Sequence, residues 1–96
     1  MSPSVAAMMA QTPTMVRVHG SPLDLSQPAA LDRALDQMMA FIDGSLLRHT
    51  LAVDYEPMNG ATVLQLTPYE FGEVSDRATL RREMLKAMDI YRMAFN

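Results

Sequence analysis

The 96-residue sequence contains no cysteine and no tryptophan. The absence of cysteine excludes disulfides, thiolate nucleophiles, iron–sulfur clusters and cysteine-ligated zinc sites. No apolar run approaches the roughly 18 residues that span a bilayer, so we expect no transmembrane helix. We also expect no secretory signal peptide, because the apolar run at 5–10 has no basic residue before it and is shorter than the about 7 to 15 residues required. These absences predict a cytoplasmic protein, with export without a cleavable signal peptide as the alternative.

Positive charge is also scarce. Eight Lys and Arg stand against eleven Asp and Glu, which gives a net charge of -3. This balance argues against a protein that coats nucleic acid, since such proteins gain affinity mainly by neutralising phosphates. The apolar fraction of 49% and the charged fraction of 20% are typical of a folded globular chain. The length allows one domain, because independent domains usually need about 100 to 150 residues each.

Motifs that carry chemistry are missing as well. The glycines stand singly, so neither a P-loop nor a dinucleotide fingerprint is present. The acidic residues do not follow the calcium-loop pattern. Ser45, His49 and Asp43 have the residue types of a catalytic triad, but geometry and not residue type defines a triad. We therefore predict no enzyme, no cofactor and no metal, with His49 as a surface or capping residue.

The N-terminal part of the chain is expected to contribute little to the core. Its first 14 residues carry no charged side chain. Termini without anchoring side chains usually stay loose, so we expect a disordered tail over 1–14 and a single domain over 15–96. Val16 and Val18 occupy alternate positions directly after this tail. Their alternation predicts a short edge strand at 15–19.

Two helices are predicted from apolar residues that recur at intervals of three and four. The first covers 28–43 and ends before Gly44, which can adopt the left-handed conformation that often follows a last turn. The second covers 76–95, with Ser75 or Asp76 as its N-terminal cap. The apolar positions that predict these helices are Leu31, Leu35, Met38 and Ile42 in the first, and Leu80, Met84, Ala87, Tyr91 and Phe95 in the second.

A β-hairpin is predicted for 49–56 and 61–67. Asn59-Gly60 is the favoured sequence of a two-residue type I′ turn, because both positions need positive φ. Such a turn would place Tyr55 opposite Leu64. Alternate apolar residues of both strands then share one face of the hairpin. These residues are Leu51, Val53, Tyr55, Leu64 and Leu66.

The two helices must cover this apolar face, because an isolated hairpin is marginal in water. The predicted fold class is therefore a two-layer α+β domain, in which two amphipathic helices cover a small antiparallel sheet. In so small a domain we expect some helix methionines to stay at the surface, where flexible thioethers suit adaptable protein-binding sites. We predict a non-enzymatic interaction module that forms a homodimer and binds a protein partner through these helices or a sheet edge. Its candidate partner-binding residues are Met38, Met39, Met84, Met88, Arg77, Arg81 and Arg82.

Three alternatives stay open. The uncharged segment 1–14 resembles the leaders of type III secretion substrates, which implies a small exported effector. The small size, acidic charge and closing amphipathic helix resemble type III secretion chaperones, which implies a chaperone or adaptor. A nucleic-acid-binding regulator would use the basic residues of the last helix, although the segment 61–96 has no net charge. The basic helix can instead complement the acidic first helix, within one chain or between chains.

Overall fold

The computed structural model describes residues 12–95. Its elements follow the order strand, helix, strand, strand, helix. The predicted two-layer α+β fold, with a small antiparallel sheet and two helices, is confirmed. Most of the predicted tail, residues 1–11, lies outside the described residues, whereas Thr14 belongs to the first strand. The elements are β1 (Thr14–His19), a short 3-10 helix (Asp24–Ser26), α1 (Pro28–Ile42), β2 (His49–Glu56), β3 (Ala61–Pro68) and α2 (Arg77–Phe95).

β3 is the central strand of the sheet, whose order is β1-β3-β2. Both outer strands run antiparallel to β3 and are therefore parallel to each other. The unit β1-α1-β2 is thus a split β-α-β motif with β3 inserted between its strands. β3 has a neighbouring strand along each of its two edges. The first four residues of β3 are all buried, including those on the face away from the helices.

The predicted pairing of the hairpin is wrong by two residues. Tyr55 lies opposite Thr62 instead of Leu64, and Val53 lies opposite Leu64. A shift by two residues leaves every side chain on its predicted face, because side chains alternate with a period of two. The apolar face made by Leu51, Val53, Tyr55, Leu64 and Leu66 is therefore retained, and Leu64 and Leu66 are fully buried on it.

The turn itself explains this shift. It contains the four residues 57–60, so the strands pair up to Glu56 and Ala61 and not beyond. The N–H of Asn59 donates to the carbonyl of Glu56 over 3.2 Å. Among the residues of this turn only Gly60 has positive φ, at 59°, whereas a type I′ turn would require positive φ at Asn59 as well.

The capping residues predicted for the helix ends are confirmed only in part. Asp76 caps α2: its carboxylate accepts the N–H of Thr79 over 2.9 Å, and the Thr79 hydroxyl accepts the N–H of Asp76 over 3.1 Å. This reciprocal pair satisfies backbone donors that a helix N-terminus leaves free. α1 ends at Ile42, one residue before its predicted end, and Gly44 does not have positive φ, so its expected left-handed role is wrong.

Both helices pack on the same face of the sheet, with α1 near β1 and α2 near β2. The apolar positions predicted from the 3.6-residue period form most of the resulting core. A buried hydroxyl at Thr62 donates to the carbonyl of Gly20 over 2.8 Å and so ties β3 to the end of β1. The largest fully buried side chains are those of Leu25, Leu35, Met38, Leu64, Leu66, Leu80, Met84 and Met88.

Within residues 12–95, neither helix has the length and apolar character that a membrane span requires.

Candidate functional site

The methionines proposed for partner binding lie mainly in the interior. Met38 and Met84 are fully buried, Met88 is 1% exposed, and Met39 is half-buried against the same core. The expectation that these side chains form an exposed surface is therefore wrong for Met38, Met84 and Met88. The physical reason is that a three-stranded sheet and two helices supply enough surface to enclose the apolar stripes of both helices.

Arg77 connects the two helices. Its guanidinium makes a 2.5 Å hydrogen bond with the carboxylate of Asp36 and lies 3.6 Å from that of Asp32. Because Asp32 and Asp36 are one turn apart on α1, a single arginine at the start of α2 reaches both. The predicted complementarity between the basic and the acidic helix is confirmed at this position, within one chain.

The other basic residues of α2 are mostly near carboxylates. The Lys86 ammonium lies 3.3 Å from Glu83 and 3.7 Å from Glu73. Hydrogen bonds from Thr79 hold the pKa of Asp76 below its usual value, and the charge of Arg82 contributes in the same direction. Arg81 is exposed and forms no ion pair within residues 12–95. These charges are locally compensated and do not make the continuous basic stripe that phosphate binding needs.

Four of the nine large exposed apolar residues in the described part of the chain lie on two connections at one end of the sheet. Leu46 and Leu47 lie between α1 and β2, and Tyr69 and Phe71 follow β3. The two connections run side by side, since the N–H of Tyr69 donates to the carbonyl of Arg48 over 2.8 Å. We call Leu46, Leu47, Tyr69 and Phe71 the apolar end.

Within the apolar end, the two aromatic rings contact each other. The centroids of Tyr69 and Phe71 are 5.7 Å apart and their planes are inclined by 73°, which is an edge-to-face arrangement. Phe71 nevertheless stays 73% exposed and Tyr69 49% exposed. Rings that stabilise each other but not the core are available to contact another molecule.

A cavity of about 370 Å³ adjoins Phe71 at the outer edge of β2. Its wall combines the Phe71 ring and the side of Leu51 with the charged groups of Glu73, Glu83 and Lys86. A hydrogen bond with Glu83, followed by the charge of Lys86, lowers the pKa of the Glu73 carboxyl. This rim of the apolar end therefore combines two acidic side chains with the ammonium of Lys86, and the charge of Arg82 also acts on Glu73.

His49 is buried, so its predicted surface location is wrong. It lies at the start of β2 on the face toward the helices, and its N–H and C=O exchange hydrogen bonds of 2.8 and 2.9 Å with Val74. Within residues 12–95 its Nδ1 atom has no hydrogen-bond partner, and the hydroxyl of Ser45 donates to the carbonyl of Leu47 instead. Burial lowers the pKa of His49. The residue types of a triad are thus present without a Ser–His hydrogen bond.

In the part of the chain that the structure describes, no group of three His, Asp or Glu side chains is placed to hold a metal ion. No protein-family model, no curated protein and no solved structure matches the chain. The function is therefore inferred from the geometry of this molecule.

The sequence signals the apolar end only in part. Leu46 continues the helical spacing of the first helix from Ile42, so a longer helix would also account for Leu46 and Leu47. Tyr69 and Phe71 belong to no helical or alternating pattern. Large apolar residues that belong to no apolar stripe are not expected to pack in the core. The position of Tyr69 and Phe71 outside every stripe is therefore the sequence signal that marks them as exposed.

Proposed function

We propose that the protein is a non-enzymatic interaction module that binds a protein partner through the apolar end. The exposed Tyr69–Phe71 pair is the observation on which the proposal rests. Aromatic residues supply much of the binding energy in protein interfaces, particularly when water is excluded from around them. The apolar end replaces the helix methionines as the contact surface of the module.

The adjoining charges indicate what kind of segment fits. Glu73, Glu83 and Lys86 line the cavity beside Phe71. A partner segment with an apolar side chain next to a basic one would cover the ring and face the two acidic side chains. Opposite charges at the rim mainly add specificity and association rate, while the apolar contact supplies affinity.

The test is site-specific photo-crosslinking in a lysate of the source cells. A photoreactive residue in place of Phe71 is expected to give a discrete crosslinked product. A chain that also carries Tyr69→Ser should give at least about tenfold less of that product, because the loss of an interface aromatic typically costs 2 kcal/mol or more.

The matched control places the same photoreactive residue at Met58. This side chain is 96% exposed and lies in the hairpin turn, at the opposite end of β3. A product that forms equally well from both positions, or that survives Tyr69→Ser, would refute the apolar end as a specific site. Identification of the crosslinked protein then distinguishes a chaperone client, an export component and another partner.

A further inference from the structure

The face of the sheet that points away from the helices is covered by no other element of residues 12–95. We call it the outer face; it consists of alternate residues of the three strands. At its centre, Ala61 and Val63 are 8% and 9% exposed. Part of their cover comes from Arg17, whose Nε donates to Glu56 over 2.9 Å across β3.

The strand register arranges the outer face in rows across the sheet. In the middle row, Arg17 of β1 and Asp54 of β2 both lie opposite Val63. The two neighbouring rows have the same construction. They are His19, Ala61 and Glu56 on one side, and Met15, Gln65 and Ala52 on the other.

Charge is distributed unequally between the two edges of this face. β1 contributes Arg17 and His19 and no carboxylate, whereas β2 contributes Asp54 and Glu56 and no basic residue. β3 contributes only uncharged side chains between them. The outer face therefore has a basic edge and an acidic edge, which the Arg17–Glu56 ion pair joins across the uncharged side chains of β3.

A two-fold axis along β3 makes this distribution self-complementary. Such an axis places β1 of one copy over β2 of the other. It also places each row of residues over the same row of the second copy. Arg17 keeps its Nε hydrogen bond to Glu56 of its own chain, and its two terminal nitrogens then face Asp54 of the second copy, while the two Val63 residues lie opposite each other on the axis. Stacked sheets lie about 10 Å apart with strand directions within about 30° of each other, and this axis sets the two β3 strands parallel, which lies inside that range.

Side-chain size is complementary under the same axis. Met15 is 51% exposed at the basic edge, and the residue in its row on β2 is the small Ala52. A groove of about 230 Å³ runs over this part of the face, lined by Met15, Ala52, Val63 and Gln65 together with charged side chains. The two-fold axis places Met15 of each copy over Ala52 of the other, so a large side chain enters the space left by a small one.

We infer that the outer face is a self-association surface, on which a second copy of this chain packs about a two-fold axis along β3. The product is a four-layer dimer with helices on the outside and two sheets inside. Its interface is small, so the dimer is expected to be reversible and dependent on concentration. The inference does not rest on the apolar end, which lies on other parts of the chain.

Gln65 provides the decisive test, because a residue on the axis meets its own copy. Gln65→Lys places two ammonium groups together and Gln65→Glu two carboxylates. Each variant alone is expected to raise the dimer dissociation constant at least about tenfold, since like charges that face each other across an interface are strongly unfavourable. Sedimentation velocity over about 1 μM to 1 mM protein measures this constant.

An equal mixture of Gln65→Lys and Gln65→Glu is expected to restore the dimer as a mixed species, visible by native mass spectrometry. Thermal melts check that both variants are folded. The control is Gln37→Lys on the exposed surface of α1, which should dimerise like the wild-type chain. A wild-type chain that is monomeric throughout, an unaffected Gln65→Lys variant, or a mixture that stays monomeric would each overturn the inference.

Discussion

His49 carries a buried imidazole that cannot become charged without cost. In the part of the chain that the structure describes, its Nδ1 atom has no hydrogen-bond partner, and burial holds its pKa below the usual value of about 6.5. The unfolded chain therefore binds a proton at a higher pH than the folded chain does. It follows that the free energy of unfolding decreases as the pH falls through about 6.5, until the folded-state pKa is reached.

The first prediction is that His49→Phe removes this dependence. Urea unfolding between about pH 7 and pH 5 should show declining stability for the wild-type chain and a nearly constant value for the variant. The carboxyls of Glu56, Glu73 and Asp76 have lowered pKa values and act only at more acidic pH. The control is His19→Gln, at an exposed position of β1, in which stability should still decrease toward acidic pH as in the wild-type chain. If this variant loses the pH dependence, His19 and not His49 is its source.

At the scale of elements, the connection from β3 to α2 is held against the start of β2. Val74 pairs with His49 through two backbone hydrogen bonds, and Gly72 lies directly against the His49 backbone. A Cβ atom at Gly72 would overlap the carbonyl group of His49. Backbone cannot move aside as a flexible side chain can, so this approach requires glycine.

The second prediction follows from this approach. Gly72→Ala should lower the free energy of unfolding by about 1 to 3 kcal/mol, the usual cost of forcing extra atoms into a packed site. Gly44→Ala is the control, because a Cβ there meets no atom within 4 Å and its φ is not positive. The control should be neutral or stabilising by up to about 1 kcal/mol. Equal stability of both variants in urea would contradict the docking of the connection.

The elements also show how far local patterns predict this fold. Both helices, the hairpin strands and the faces of the strands follow from periods of 3.6 and 2, since those periods record which side chains become buried. The register does not follow, because Asn59-Gly60 suits both a two-residue turn and the last half of a four-residue turn. The central place of β3 also depends on contacts between distant segments, which no local pattern records.

For the whole molecule, the sequence shows which residues are apolar but not which of them remain exposed after folding. Met38, Met84 and Leu46 are equally apolar in the sequence. The sheet and the two helices enclose the first two, and Leu46 remains fully exposed. Enclosure depends on how many layers meet, so the sequence alone does not distinguish the enclosed methionines from the exposed residues of the apolar end.

The third prediction tests that enclosure directly through methionine oxidation. In dilute peroxide, Met58 and Met93, which are 96% and 78% exposed, should form sulfoxides first. Met38, Met84 and Met88 should react on the order of a thousandfold more slowly, because they become accessible only when the chain unfolds at a cost of about 5 kcal/mol or more. Peptide mass spectrometry gives each rate, and denatured protein shows the rates without protection. Buried methionines that react as fast as Met58 in the native protein would mean that the helices do not close over the sheet, and the methionine-rich helix surface would again be the candidate binding site.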